Sequence, residues 1–382
     1  MDSYLSDDRI KIDLKGKIDA ENASTLSGEI NAILTDAPDK IPVFDASDLK
    51  YISSSGLRVL LDIKKRYKDE IFIIDVSPEV YEIFDMTGFT GLFSVRKKMR
   101  ELSVDGCPVL GRGGSGVVYS LDKDTVIKVF YDRVKYPDIE REITVSKELF
   151  VAGVPTAIPY DIVRVGESYA TVFEYIDATT LYSLLLEDQN NYDLCLKVYT
   201  DVLCLLRKTI VKSDKLRNYD AEFMNKCREV EKILPPELSA LIKEFAEGIT
   251  PGEGLVHGDY HLNNVMYRDG NPMLIDLGTI GTGSELFDPA RSYYYLYLYK
   301  YGISPYMAFS PELSEKFYYD HIDLLYGDRS ETERREIITK IKVISYISGL
   351  YYAKEYLNEP MIKAMYDDLL VDLDEQLKVV PK

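Results

Sequence analysis

Four short segments of the chain contain residue types that together suit the transfer of a phosphoryl group. Glycines let backbone N–H groups approach phosphate oxygens because no Cβ stands in the way, and a lysine on a following strand neutralises phosphate charge. A later aspartate, an asparagine and a second aspartate supply the oxygen atoms that such a reaction needs. In chain order these residues are Gly111, Gly113, Gly114, Gly116, Lys128, Asp259, Asn264 and Asp276.

Each of the later residues has a separate role in this prediction. Asp259 is expected to be catalytic, because it can orient the hydroxyl group of an acceptor and take its proton. Asn264 and Asp276 are expected to bind Mg²⁺, which prefers hard oxygen ligands. The cofactors implied are therefore ATP and Mg²⁺, and His257 is expected to support the catalytic loop structurally.

The glycine-rich segment by itself has another interpretation. A G-x-G-x-x-G pattern also occurs in dinucleotide-binding proteins, where it joins a strand to a helix. Here it runs into the apolar residues 117–119, which favour a strand. The sequence therefore predicts a glycine-rich hairpin over phosphates rather than a dinucleotide fold.

Residues from about 104 to the end resemble the protein-kinase-like superfamily, on the side of the aminoglycoside phosphotransferases and choline kinases. Gly258 stands where Ser/Thr protein kinases carry an arginine, and His261 stands where many carry a lysine. Only a short run separates Asp276 from residues 287–290, which leaves little room for an activation segment. The sequence is in these respects similar to small-molecule kinases.

The resemblance implies a bilobal α+β fold for residues 104–382, with ATP bound between the lobes. The small lobe is expected to be rich in strands, and the large lobe is expected to be helical. The predicted bounds are about 104–176 for the small lobe and about 177–382 for the large lobe.

The resemblance also implies further nucleotide-binding residues. A glutamate on the helix after the lysine strand should pair with Lys128; Glu142 is preferred for this role over Glu140. The segment that contains Glu174 and Ile176 resembles the hinge whose backbone groups bind adenine, although an ordinary buried strand would have the same composition.

The first hundred residues show a different pattern, in which predicted strands and helices alternate. Apolar and polar residues alternate in the first strand, apolar residues then recur at helical spacing, and a later strand is continuously apolar. Strands are predicted at 10–15, 41–45, 71–76 and 92–97, and helices around 26–34, 57–63 and 80–84. The order predicts an α/β domain.

Residues 45–57 of this domain resemble the phosphoacceptor loop of STAS domains, the anti-sigma-factor antagonist family, and a STAS-like domain is expected at 1–103. The resemblance implies that Ser54 is a phosphorylation site, with Ser53 in place of the aspartate that often precedes it. It also implies a protein partner similar to an anti-sigma factor. Alternatively, the serines only cap a structural helix.

Composition limits the partners. The chain has 382 residues and a formal net charge of −18, most of it in residues 104–382, so nucleic acid is an unexpected ligand and a cationic acceptor such as an amine-bearing metabolite is favoured. No stretch is apolar enough to span a membrane. Four cysteines without metal-binding spacing indicate a reducing compartment, so a cytoplasmic location is expected.

Two functions are consistent with these observations. The first is a regulatory phosphotransferase that moves the γ-phosphate of ATP to a hydroxyl group of a small molecule or protein serine, with a STAS-like domain that senses or recruits a partner. The second is a partner-switching protein whose kinase-like part mainly binds nucleotide. The intact set of Lys128, Asp259, Asn264 and Asp276 favours the first.

The tyrosine-rich residues 292–299 are expected to pack a helix, or else to form an aromatic substrate wall.

Overall fold

The computed structural model describes residues 8–306, 308–353 and 360–378. The chain forms two compact units, and each unit is built from three separate segments of the sequence. The first unit contains the chain up to Leu121 together with Ile127–Pro137 and Ile162–Val172. The second contains Asp122–Val126, Asp138–Asp161 and the chain from Phe173 onward.

The N-terminal part is an α/β layer, as the sequence predicts. Its elements are β1 (Arg9–Ile18), α1 (Ala23–Asp36), β2 (Ile41–Ile52), α2 (Ser54–Lys64), β3 (Phe72–Val76), α3 (Pro78–Met86) and β4 (Ser94–Lys97). The four strands form a parallel sheet in the order β1-β2-β3-β4. Apolar residues of the strands and of the three helices form one core, which includes Leu14, Ile30, Phe44, Leu60, Ile73 and Phe84.

Strand β2 is longer than the sequence predicts. The prediction ended the strand at Asp45 and treated the following polar residues as loop, whereas the structure continues it to Ile52. Ala46, Leu49 and Ile52 are buried, and two register shifts in the pairing with β1 let residues three apart reach the core. Strand prediction expects every second residue to be buried, so a strand in which every third residue is buried is not recognised.

A second sheet has five strands in the order β5-β6-β7-β9-β8. This part of the chain contains β5 (Val109–Arg112), β6 (Gly116–Ser120), β7 (Thr125–Phe130), α4 (Tyr136–Val151), β8 (Pro159–Val165) and β9 (Ser168–Glu174). A small core that includes Ile127, Val163, Ala170 and Val172 packs within it.

The remainder is mainly helical, which agrees with the predicted large lobe. Its helices are α5 (Leu181–Glu187), α6 (Tyr192–Lys208), α7 (Tyr219–Glu231), α8 (Pro236–Glu247), α9 (Phe287–Tyr299), α10 (Pro311–Leu325), α11 (Glu331–Ala353) and α12 (Pro360–Leu377). Its short strands are β10 (Thr179–Thr180), β11 (Arg217–Asn218), β12 (Leu255–Val256), β13 (Val265–Arg268), β14 (Asn271–Leu274) and β15 (Gly281–Thr282). They form the sheets β10-β13-β14 and β11-β15-β12. Within the described residues no helix is both long and apolar enough to cross a bilayer.

Candidate active site

The loop that contains Asp259 is anchored by a buried carboxylate. The loop follows β12, and Asp288 near the start of α9 accepts the backbone N–H of His257 at 2.9 Å and that of Gly258 at 2.8 Å. Asp288 is 3% exposed, and burial raises the pKa of its carboxyl group. Two backbone donors therefore fix the loop to the helix that carries Asp288.

His257 joins this loop to the one that contains Asp276. Its imidazole is fully buried; Nδ1 accepts the N–H of Asp259 at 3.3 Å, so Nε2 carries the proton and donates to the Ile275 carbonyl at 3.2 Å. This position agrees with the structural role that the sequence analysis gave to His257.

Asp259 lies among polar side chains from its own loop and from α9. Its Oδ1 accepts a hydrogen bond from the Tyr295 hydroxyl and lies 3.4 Å from Nη2 of Arg291. Its Oδ2 lies 3.6 Å from Nε2 of His261. The Asp259 side chain is 26% exposed, so the carboxylate is both held in place and open to solvent.

These contacts keep Asp259 ionised. Burial by itself raises the pKa of the Asp259 carboxyl, but the hydrogen bonds and charges of His261, Tyr295 and Arg291 outweigh it, and the net pKa is well below the ordinary range. Burial lowers the pKa of Arg291, but its interactions with Tyr295, Asp259 and Tyr352 outweigh this effect, and the net pKa is raised. A carboxylate of this kind orients a hydroxyl group well and holds a proton poorly.

Asn264 and Asp276 lie on connected backbone segments. The buried Asn264 ends a 3₁₀ turn and donates from Nδ2 to the Asp259 carbonyl at 2.9 Å. Its own carbonyl accepts the N–H of Ile275 at 3.1 Å, directly before Asp276. Asp276 adopts a left-handed backbone conformation with φ of 58°. The structure thus brings together Asp259 and the two residues predicted to bind Mg²⁺.

An arginine at the position of Gly258, as in Ser/Thr protein kinases, would strain the backbone and displace a neighbouring side chain. The φ of Gly258 is +79°, which favours glycine, and a Cβ would overlap the Tyr219 hydroxyl. That hydroxyl donates to the Thr279 carbonyl at 2.7 Å. The local packing therefore gives a physical reason for the departure that the sequence analysis noted.

Helix α4 brings Glu142 to the residues that follow Asp276. A Cβ added at Gly278 would meet Oε2 of Glu142 at 2.9 Å, and the Arg141 guanidinium donates to the Gly278 carbonyl. Glu140 is exposed on the same helix. Glu142, unlike Glu140, thus lies beside the segment that follows Asp276, and its pairing with Lys128 stays a prediction.

The glycine-rich segment is a hairpin, as predicted. Strands β5 and β6 pair in antiparallel fashion, and the N–H of Gly113 donates to the Gly116 carbonyl at 2.9 Å. A Cβ at Gly116 would collide with the backbone of Val129, whereas a Cβ built at Gly111, Gly113 or Gly114 would have no described atom within 4 Å beyond the adjacent residues. One glycine is thus required by packing, and the other three face open space.

Lys128 lies on β7, in the sheet that contains this hairpin. Its Nζ lies 5.1 Å from the centre of the Phe130 ring. The strand position agrees with the prediction of a lysine on the strand that follows the glycine-rich hairpin.

The predicted hinge lies at the end of β9. The N–H of Glu174 donates to the Ile158 carbonyl at 2.9 Å, and the carbonyl of Ile176 accepts the N–H of Ala178 at 2.9 Å. Glu174 is thus the last residue of a sheet strand and Ile176 lies beyond it, which is consistent with both interpretations that the sequence left open.

Ser54 is the first residue of α2 and is exposed. The residue that caps the helix is Ser53, whose side chain accepts the N–H of Gly56 at 3.5 Å. The expectation that the serines cap a helix thus holds for Ser53, and Ser54 is not needed for the cap.

Sequence reasoning missed three residues of the site: Asp288, Arg291 and Tyr295. It treated residues 292–299 mainly as core, and Tyr294 and Tyr295 are indeed buried. However, Tyr295 also donates to Asp259. The spacing of Arg291 and Tyr295 by one helical turn after an aspartate–proline pair was the available signal.

Comparison with known families agrees with this geometry. The phosphotransferase enzyme family matches residues 107–313, which is more than half of the chain. The chain therefore belongs to this family and is a kinase-type phosphotransferase. The STAS domain family matches residues 3–102, so the phosphotransferase part is joined to a STAS domain. Both predicted families and the predicted two-domain fold class are confirmed.

Individual relatives cover different parts of the chain. Over 85 residues the chain is 35% identical to the candidate anti-sigma factor antagonist BtrV of Bordetella bronchiseptica, a match of 22% of this chain and 72% of that protein. The structure of amicoumacin kinase hAmiN in complex with AMP-PNP, Ca²⁺ and Ami is similar, with 14% identity, a TM-score of 0.50, and coverage of 84% of this chain and 96% of that one. A choline/ethanolamine kinase family protein from Mesorhizobium loti has 14% identity and a TM-score of 0.47, over 72% of this chain and 89% of that chain.

Proposed function

We propose that the protein transfers the γ-phosphate of ATP to a hydroxyl group, with Asp259 as the catalytic residue. The observation that carries this proposal is the loop around Asp259, in which a charged carboxylate is held in place, remains open to solvent, and is joined through the backbone to two oxygen-bearing side chains. Phosphoryl transfer requires mainly positioning and charge stabilisation. A fixed, ionised carboxylate next to a candidate metal site meets both requirements.

Asp259 would orient the acceptor hydroxyl and accept its proton late in the reaction. The depressed pKa of Asp259 makes it a weak base, but a loose transition state demands little proton removal before the phosphoryl group has moved. The main contribution of Asp259 is therefore to orient the hydroxyl oxygen of the acceptor.

Asn264 and Asp276 would hold Mg²⁺. Because Nδ2 of Asn264 is used by the Asp259 carbonyl, the amide presents its oxygen, the atom that Mg²⁺ prefers. Asp276 adds a carboxylate from the adjoining segment. The donor set thus fits the ion, which when bound would neutralise charge on the phosphates.

The remaining predicted residues would bind the nucleotide. The open side of Gly111, Gly113 and Gly114 supports a role in covering phosphates, and Lys128 would neutralise phosphate charge with Glu142 as its partner. Backbone groups of Glu174 and Ile176 would bind adenine. Gly116 would shape the hairpin rather than contact ATP, because a neighbouring strand already fills its Cβ side.

ATP binding and ADP release test this function separately. Mg²⁺-ATP should raise the thermal midpoint of the protein, because a ligand that binds only the folded state stabilises it by about 2.7 kcal/mol at one hundred times its Kd. Lys128→Ala should weaken the shift and Asp276→Asn should remove its Mg²⁺ dependence. Lys123→Ala, at an exposed lysine in the turn before β7, is the matched control.

The outcomes separate the two functions. No binding at millimolar Mg²⁺-ATP would contradict the kinase proposal. Binding without ADP release would support the alternative of a partner-switching protein that only holds nucleotide. ADP release followed by mass spectrometry of the protein distinguishes transfer to a metabolite from self-phosphorylation.

We further propose that the STAS domain binds a protein partner and that the state of Ser54 controls this binding. Ser54 is exposed, and a phosphate there would add a charge of about −1.5 to −2 at a helix N-terminus, where the helix dipole favours it. A partner that accepts a hydroxyl at this position would meet a different surface after modification.

Contacts within the first unit support communication from the STAS domain to the second sheet. The guanidinium of Arg96 on β4 lies 5.2 Å from the ring centre of Phe72 on β3 and 4.3 Å from that of Tyr136. The ring of Tyr136 lies 5.1 Å from that of Tyr169 on β9. The N–H of Leu102 also donates to a carbonyl of β8 at 2.9 Å. These packed rings and backbone bonds favour a close-coupled joint between the STAS domain and the second sheet.

A further inference from the structure

Three tyrosine rings and a carboxylate surround the guanidinium of Arg291. Its Cζ lies 4.8 Å from the ring centre of Tyr295, 5.7 Å from that of Tyr352 on α11 and 5.8 Å from that of Tyr294. Nη2 lies 3.4 Å from Oδ1 of Asp259, and Nε donates to the Tyr295 hydroxyl at 3.0 Å. This arrangement has the chemistry of a cation-binding aromatic cage.

The cage opens at the place where the acceptor hydroxyl must arrive. The side chain of Arg291 is 29% exposed and that of Asp259 is 26% exposed, so both groups reach solvent beside each other. An arginine remains protonated at every pH at which the protein functions. The position next to the catalytic carboxylate is therefore already occupied by a positive charge of the chain itself.

We propose that Arg291 makes the acceptor site select hydroxyl compounds whose reacting end is uncharged or anionic, and that it excludes compounds with an amine or quaternary ammonium beside the reacting hydroxyl. This inference rests on the proposed function of Asp259. A cationic group brought within hydrogen-bonding distance of Asp259 would also approach the guanidinium, and like charges at such separations repel one another. The rings and the carboxylate that would attract a cation are engaged by Arg291.

The inference differs from the expectation based on net charge. The acidic composition of the chain attracts cations at long range, and salt screens this attraction over about 10 Å. Selection of the acceptor takes place at contact with Asp259, where the Arg291 guanidinium lies 3.4 Å from the carboxylate. Contact chemistry should therefore decide which acceptor reacts.

A binding experiment tests the cage without any need for turnover. Saturation-transfer NMR with tetramethylammonium chloride should show no binding to the parent protein and millimolar binding to Arg291→Ala, in which the rings and Asp259 become available. Binding should disappear in the double variant Arg291→Ala with Asp259→Asn. Equal binding to parent and Arg291→Ala, or binding to neither, would overturn the proposal.

A turnover experiment tests selectivity with acceptors matched in shape. Choline and its uncharged isostere 3,3-dimethylbutan-1-ol differ only in charge, and 4-hydroxybutanoate adds an anionic case. The parent should prefer the uncharged or anionic compound, and Arg291→Met should raise the kcat/KM ratio of choline to its isostere by roughly tenfold. Arg291→Lys keeps the charge and should keep the preference, even if it lowers overall activity.

Lys300→Met is the matched control for the loss of one positive charge. Nζ of Lys300 lies 5.4 Å from each of the ring centres of Tyr297 and Tyr301 and 2.6 Å from Asp368, so it has the same kinds of neighbour without Asp259. The kcat/KM ratio of choline to its isostere in Lys300→Met should match that of the parent. A parent that prefers choline would overturn the proposal. If no ADP is released with any acceptor, the proposed function fails. The NMR experiment then still tests whether Arg291 occupies the cation-binding position.

Discussion

The loop around Asp259 and the N-terminus of α2 both present a polar side chain to solvent, but the chain holds them in opposite ways. Asp259 is contacted by His261, Tyr295 and Arg291, and the backbone of its loop is fixed by a buried carboxylate. Ser54 is exposed at the first residue of its helix, and the helix cap is formed by its neighbour.

The difference follows from what each position would be required to do. A group that orients a reacting hydroxyl has to remain within a fraction of an ångström of its productive position, so several neighbours are needed to hold it. A group that is to be modified and then recognised has to be accessible instead. Three expected effects, from the largest to the smallest, test this comparison.

The largest effect is expected for Asp259→Asn. The substitution keeps the size of the side chain and removes its charge, so phosphoryl transfer should fall by about 10² to 10⁴-fold while nucleotide binding persists. ADP release and the ATP-dependent thermal shift are the two measurements. Asp269→Asn, in the exposed turn between β13 and β14, is the matched control and should behave like the parent. Normal turnover in Asp259→Asn would remove this residue from the catalytic role.

An intermediate effect is expected from acid on the core behind the Asp259 loop. His321 of α10 is fully buried, its Nδ1 bonds to Oγ1 of Thr200 at 2.9 Å, and burial together with the charge of Arg207 lowers the pKa of His321 to about 3. Below its ordinary pKa of about 6.5 the unfolded chain binds a proton that the folded chain does not, so stability falls as the pH drops from 6.5 towards 3.

The expected loss from His321 is about 1.4 kcal/mol at pH 5.5 relative to pH 8. His321→Gln should be less stable than the parent at pH 8, and its free energy of unfolding should depend less on pH over this range. Urea unfolding of both proteins at pH 5.5, 6.5 and 8 measures the difference. Parallel curves for parent and variant would show that His321 does not contribute to the acid sensitivity.

The smallest effect on stability is expected at Ser54. Because Ser53 provides the cap, Ser54→Ala and Ser54→Asp should each change the free energy of unfolding by less than about 0.5 kcal/mol, whereas Ser53→Ala should cost about 1 kcal/mol. A partner pull-down should nevertheless distinguish Ser54→Asp from Ser54→Ala. If Ser54 remains unmodified in cells and both variants bind partners like the parent, the serine run acts only through its cap.

The sequence was sufficient to predict features that depend on residue type and on spacing along the chain. The order of the glycine hairpin, Lys128, Asp259 and Asp276 was sufficient for the fold of the C-terminal part, and alternation of apolar residues was sufficient for most of the N-terminal elements. The same spacing singled out the loop residue Asn264, whose Nδ2 donates to the Asp259 carbonyl in the structure.

The residues that sequence reasoning missed depend on long-range packing. Arg291 and Tyr295 reach Asp259 only because α9, some thirty residues further along the chain, packs against the Asp259 loop. The length of β2 depends on two register shifts in its pairing with β1, which cannot be predicted from the local sequence. The separation of roles between Ser53 and Ser54 required the backbone angles of the helix start, since both residues have the same side chain.

The capping of α2 by Ser53 alone would have a kinetic consequence for the proposed modification of Ser54. Since the helix keeps its cap whatever happens at Ser54, adding or removing a phosphate there would require no segment of the chain to unfold or reorder. The new surface would exist as soon as the covalent bond forms, so the delay between modification and response would be set by diffusion of the partner and its rate of dissociation.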